Sequence, residues 1–273
     1  MALPLVIPVT VGVGKLVYDM WQSDKYEKQA RSINYEAFSI VESAARKSRE
    51  EYAKTTQTLL KLANRKKGIM NGSLPKFLEV YRKIIKINFK EVDSLDGDRA
   101  LVLQENSIRS IDQMISVSGV SMSDKEIIGT FLFSWEYGGL SGAIKKEAKI
   151  NLDLAYTRSD EAEVIAHQYE TAQIALKGIG DKAESFLKLL AQMNLLFLKS
   201  IQYTDKIIDG HGFDRQNYSA DDKKSLMSCI NLAKAIKDIL EAPLFEADGK
   251  VSQQANRVLV IGDEYIRKFQ SLS

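Results

Sequence analysis

The sequence predicts an all-α protein, an elongated helical bundle with two long coiled-coil-like helices plus shorter packing helices, forming one domain over residues 1–273. The strongest observation is a seam. From Ala148 through Leu152, Ala155, Ala162, Ala166, Tyr169, Ala172, Leu176, Ile179, Ala183, Phe186, Leu190, Met193 and Phe197 to Ile201, apolar residues recur at spacings of four and three, broken only at Ser159. That repeat puts them on one helix face, and its mean of ~3.5 is the coiled-coil period. At ~1.5 Å per residue the seam is on the order of 80 Å long. A second seam at the same spacing, Tyr26, Ala30, Ile33, Ala37, Ile40 and Ala44, shares the alternation of small and large residues, so the two long helices are expected to pair. Composition agrees: 45% apolar and 27% charged residues, with four prolines, mark an ordered and largely helical chain.

The elements follow in order. Residues 1–21 form a first apolar segment, MALPLVIPVTVGVGKLVYDMW. No Lys or Arg precedes its apolar run and no small-residue cleavage site follows, which argues against a secretory signal peptide. The uncharged run is shorter than the ~20 residues of a spanning helix, and Pro4 and Pro8 interrupt it. Its mixture suits either a membrane interface or a clamped core. The first long helix covers about 12–70. After Ala44 its seam reads Ser48, Tyr52, Thr55, Leu59 and Leu62, and the consecutive fours at 40, 44, 48 and 52 amount to a stutter. Gly68 and Asn71-Gly72-Ser73 are expected to end it.

A shorter helix over 74–87, with Pro75 in its first turn, and another over 99–117 follow, separated by the polar turn 93–98. Residues 127–144 are a second apolar segment, rich in aromatics and glycine, carrying Glu136 and ending on lysines. Three glycines within five positions suit a tight bend better than a continuous span. Trp135 and Tyr137 beside lysines fit an interfacial anchor and equally a buried corner. The second long helix covers about 145–208. A C-terminal helical hairpin, about 219–273, begins with Ser219 as N-cap and Asp221 and Asp222 in the first turn. Pro243 ends its first helix, and a turn or short hairpin over 244–251 leads into the last.

About fifty residues between the long helices suffice to run back along them, since at ~1.5 Å each they span on the order of 75 Å. The two long helices are therefore expected to be parallel, with the intervening helices antiparallel to both. Each long helix follows an apolar segment, so both segments would reach the same end.

The order of parts resembles a group of uncharacterised bacterial long-helix proteins. The likeness rests on an N-terminal apolar segment with glycines, a LPKFLEVYRKIIKINFKE-like helix, a Gly-rich apolar middle, and a YSADDKKSLMSCINLAKAIKDILEAPLFEADGKV-like C-terminal region. It implies a central hydrophobic hairpin able to enter a bilayer and no established activity. Here the middle is shortened to about 127–144 and carries Glu136, a departure from that pattern. The matching residues are framework, so the resemblance carries over no functional site.

Chemistry is sparse. Two histidines, His167 and His211, exclude a three-histidine metal site, and His167 sits among polar neighbours as a solvated or interhelical side chain. Asp205, Asp209, His211 and Asp214 are the best candidate cation ligands, although the same residues are what a helix end and turn select. Asp93, Asp96 and Asp98 lack EF-hand spacing, and Gly12-Val13-Gly14-Lys15 lacks the first glycine and final Ser/Thr of a phosphate loop. Cys229, the single cysteine, reads as packing. The basic clusters Arg46, Lys47, Arg49 and Arg65, Lys66, Lys67 read as solvated helix face.

With 38 basic against 36 acidic residues there is no global field for nucleic acid, which is not expected as a partner. No enzymatic activity and no cofactor or metal is expected. The expected function is association with a membrane, or self-assembly into an oligomer, through an apolar tip made by Val9, Val11, Val13, Phe131, Phe133, Trp135 and Tyr137. The partners are then a lipid bilayer or a protein, and the location cytoplasmic or peripheral at the inner face of the membrane. The competing expectation is a soluble coiled-coil scaffold binding a protein partner, with the apolar segments as core. A metal-dependent hydrolase at the Asp/His loop is the third class.

Overall fold

The computed structural model describes residues 35–87, 89, 102–133, 159–245 and 251–270. Among these the chain is all-helical. Helix α1 spans Tyr35–Lys86, α2 Glu105–Ser118, α3 Asp124–Leu132, α4 Ser159–His211, α5 Ala220–Glu241 and α6 Gln253–Gln270. The expected residues 12–34 of the first long helix and 145–158 of the second lie outside the described residues, as do the 93–98 turn and most of 244–251.

Helices α1 and α4 pack against each other more extensively than any other pair. Their direction follows from side-chain partners: Thr55 bonds the carbonyl of Leu176, Ser73 bonds Asn194, and Lys83 bonds Asp205, separations of 121, 121 and 122 residues. A constant separation means that the helices run parallel with no slippage, as expected, although residues 73–86, counted in the expected return path of 73–126, belong to α1 itself. In α4 every seam residue from Ala166 to Ile201 is buried.

In α1 the seam differs from expectation at its start. Ile40 is 45% exposed, while Val41 and Ala45 are buried against Tyr169. Counting from Val41 gives 45, 48, 52, 55, 59, 62, 66, 69 and 73, an unbroken alternation of four and three, so the expected stutter disappears. Only Tyr52 of that run is exposed.

Helix α1 also continues through the sequence breakers. Gly68, Asn71-Gly72-Ser73 and Pro75 all lie inside it, and the expected helix over 74–87 is its continuation. Pro75 lacks the N–H that would bond the carbonyl of Asn71, a defect costing ~3 kcal/mol in a helix interior. Burial of Ile69, Met70, Leu74, Phe77, Leu78 and Tyr81 around it outweighs that cost, since each large apolar side chain is worth ~1.5–3 kcal/mol.

The remaining helices wrap the C-terminal parts of this pair. Leu103 N–H donates to Tyr81 Oη and Lys67 Nζ to the Val120 carbonyl, so the segment carrying α2 runs antiparallel to α1. Helix α5 is antiparallel too, with Tyr218 beside Phe89 and Leu240 beside Lys66. Helix α6 returns parallel to α4, its Asn256 bonded to Lys182 and its Gly262 against Leu189. The main core begins at Leu59 and Ile179, and a separate small cluster of Val41, Ala45 and Tyr169 lies toward the N-termini of the long helices.

Candidate functional site

Because α1 and α4 are parallel and in register, Tyr35 and Ser159 begin at the same end of the pair. In the sequence each is preceded by one of the apolar segments, 1–21 and 127–144. Of the expected contact residues, Val9, Val11, Val13, Trp135 and Tyr137 lie outside the described residues. Phe131 and Phe133 are placed, and neither is at an apolar tip. Phe131 is 2% exposed and belongs to the main core. In this conformation it offers no surface to a partner.

Phe133 is half-buried, its ring centroid 5.0 Å from that of Phe245, to which it is joined by an isolated parallel bridge. The reason is local. Helix α3 ends at Leu132, whose free carbonyl accepts from Leu244 N (2.8 Å) and Phe245 N (3.0 Å), so the turn after α5 satisfies the helix end. Phe245 also bridges antiparallel to Val251. The start of the 127–144 segment is thus framework. Its helix begins at a capping box, Ser123 with Glu126, which anchors α3 before the apolar run.

The most unusual group in the core is Lys66. It is 1% exposed, at a seam position between Leu62 and Ile69. Its Nζ donates to the Ala242 carbonyl at 2.6 Å and the Leu240 carbonyl at 3.1 Å, and lies 5.9 Å from the Phe186 ring centroid. The carbonyls are C-terminal acceptors of α5 left without an intrahelical partner, so Lys66 caps that helix from the side. Burial pushes its pKa down to about 7, and burial is the only cause. The helix dipole and the ring both favour the charge, by ~0.3–2 and ~0.5–2 kcal/mol. An effective desolvation cost of several kcal/mol outweighs them.

Lys66 corrects the reading of Arg65-Lys66-Lys67 as solvated face: Arg65 is exposed and Lys67 partly so, but Lys66 points inward. The signal was present in the spacing, because the four-three run through 55, 59 and 62 lands next on 66.

The candidate cation ligands are dispersed. Lys83 Nζ lies 2.7 Å from Asp205 and 3.0 Å from Asp209, and these hydrogen bonds raise its pKa. Asp214 accepts from Gln216 N at 3.0 Å and caps the short 3₁₀ turn Arg215–Asn217. His211 Nε2 faces Asp222 at 3.5 Å, and its ring meets Tyr218 edge-on. Among the described residues no group of three or more His, Cys, Asp or Glu side chains could hold a metal ion. The cluster is helix-end chemistry: α4 runs on to His211, and Gly212 at φ 69° donates to the Ile208 carbonyl to close it. His167 is solvated, 3.3 Å from Glu170, and Cys229 is buried with its pKa raised by that burial.

No helix among the described residues is long and apolar enough to cross a membrane. Comparison of the chain with protein-family profiles, curated proteins and solved structures finds no match.

Proposed function

We propose that this is a non-enzymatic helical protein that meets a lipid bilayer, or a second copy of itself, at the end where α1 and α4 both begin. The observation that carries this reading is the parallel, in-register pairing of the two long helices. Two helices that each follow an apolar, glycine-containing segment then deliver those segments to one place. Such a common tip suits a membrane-anchoring, membrane-remodelling or pore-like role, with the protein working at the inner face of a membrane. The contact residues in this reading are Val9, Val11, Val13, Trp135 and Tyr137. The resemblance to long-helix proteins with a central apolar hairpin agrees with it.

A scaffold role is the second reading, favoured by one observation: Phe131 is core and Phe133 is clamped to Phe245. If the rest of both apolar segments is framework as well, the surface of the helix pair binds a protein.

Co-sedimentation with phosphatidylcholine/phosphatidylglycerol vesicles separates the two. The full chain is expected to pellet, and deletion of Met1–Val13, or Trp135→Ser with Tyr137→Ser, to return it to the supernatant with little change in melting temperature. Equal partition of all three proteins, with the altered chains melting lower, overturns the membrane reading in favour of the scaffold.

A further inference from the structure

We propose that Lys66 is a pH-operated latch that ties the α5–α6 hairpin to α1 while its amine is neutral and loosens it when the amine takes up a proton. The inference is independent of the membrane reading.

Donor counting supports it. A neutral amine has two N–H groups, and the site supplies two acceptors, the carbonyls of Leu240 and Ala242. Protonation adds a third N–H beyond the two carbonyls, beside the Phe186 ring whose centroid is 5.9 Å away. It also places a full charge where no carboxylate answers it. On α5, Glu241 accepts from Lys237 and Ser110, and Asp238 pairs with Lys237. On α4, Glu184 and Lys188 flank Phe186 and are exposed, as are Arg65 on α1, Glu105, Arg109 and Asp112 on α2, and Asp124, Lys125 and Glu126 on α3; Lys67 donates to Val120. None of these contributes to the lowered pKa, for which burial alone accounts.

The location makes the charge consequential. The same turn that receives Lys66 also supplies the N–H groups of Leu244 and Phe245 to Leu132 and the carbonyl of Leu244 to Ser252. Loosening it therefore frees the end of α5, the start of α6 and the end of α3 together.

The sign follows from linkage. A lysine held near 7 in the closed state and near its ordinary value when open binds more protons open than closed between those limits, so opening is favoured as pH falls from about 10 to about 7 and levels off below. From pH 8.5 to pH 5.5 the open population should rise about thirty-fold, most of it above pH 7.

Ser252→Cys, at a fully buried position where the freed turn meets the start of α6, reports the opening in a Cys229→Ser background. Its rate of reaction with 4,4′-dithiodipyridine is measured across that range and divided by the rate of a free cysteine peptide. All proteins carry His211→Gln, which removes the histidine facing Asp222 at the other end of α5. The normalised rate should rise about thirty-fold in this background and stay flat when Lys66→Met is added. A flat profile with Lys66 present, or an equal rise with Lys66→Met, overturns the latch. Should Lys66→Met fail to fold, the side-chain NMR titration of Lys66 decides instead: a midpoint near 7 supports the latch, and one near 10 overturns it.

Discussion

Single side chains show how closely the helices approach. Gly262 of α6 lies against the buried Leu189 of α4: a Cβ built at 262 stands 2.6 Å from both δ-carbons of Leu189. Gly68 and Gly178, in the long helices, have open space where a Cβ would go. Alanine improves helix propensity at each by ~0.5–1 kcal/mol. At 262, overpacking of ~1–3 kcal/mol opposes that gain and exceeds it, because Leu189 is enclosed and cannot swing into solvent. Urea denaturation should therefore show Gly68→Ala and Gly178→Ala stabilised by several tenths of a kcal/mol to about 1 kcal/mol, and Gly262→Ala destabilised by about 1 kcal/mol. A stabilised Gly262→Ala chain would mean that α6 does not seat on Leu189 as described.

At the scale of the element, helix α5 is specified at both ends. Ser219 caps its start, accepting from Asp222 N, while the Asp222 carboxylate accepts from Ser219 N at 2.9 Å and the Ser219 hydroxyl at 2.6 Å. Ser219→Ala should cost about 1 kcal/mol in thermal or urea unfolding. Hydrogen bonds from Ser219, and then the nearby His211, depress the Asp222 pKa. Its stabilising contribution is thus present above the ordinary carboxylate range and lost as pH falls through the depressed value. Asp222→Asn should flatten part of the acid limb of the stability profile, and an unchanged limb would show that the box does not hold in solution.

This cap was legible in the sequence, as was the α4 seam, because both are written in spacings of a few residues, even though the seam is buried against α1. The end of α1 was not. Gly68, Asn71-Gly72 and Pro75 are local stop signals, and they are overridden by apolar neighbours that bury against α4, far away in sequence. The start of the α1 seam was misread for a smaller reason: Ile40 and Val41 are adjacent and both apolar, and only the partner Tyr169 decides which faces inward. Lys66 was misread because residue type was given more weight than period. In the Asp/His cluster only Asp214 sits at a turn, because α4 runs on through Asp205, Asp209 and His211, and the ion pair to Lys83 could not be seen, since the lysine lies 122 residues away from Asp205.

Across the whole molecule, stability should be uneven along the two long helices. From Leu59 and Ile179 onward they are built into the main core with α2, α3, α5 and α6. Toward their N-termini the separate buried cluster comprises Val41, Ala45 and Tyr169, and the seam there is completed by Ser48, Thr55, Ala166 and Ala172. Small and hydroxylated residues bring two helices close but remove little apolar surface from water, about 25 cal/mol per Å² of what is buried. On the outside of this stretch Ile40, Val164 and Ile174 are exposed, the last at 69%. The interhelical hydrogen bond from Thr55 to Leu176 stands at its junction with the core. Local opening should begin in the paired N-terminal stretches and stop near that bond, since opening free energy tracks buried apolar contact. Native-state hydrogen exchange tests this: amides of residues 41–54 and 164–175 are expected to exchange at least tenfold faster than those of 62–84 and 183–205, a gap of about 1.4 kcal/mol. Thr55→Val should shift the boundary by removing a buried donor while keeping the shape of the side chain. Equal protection along the full length of both helices would show that the N-terminal stretches are covered by further chain or by a second copy, and would place the flexible part of the protein elsewhere.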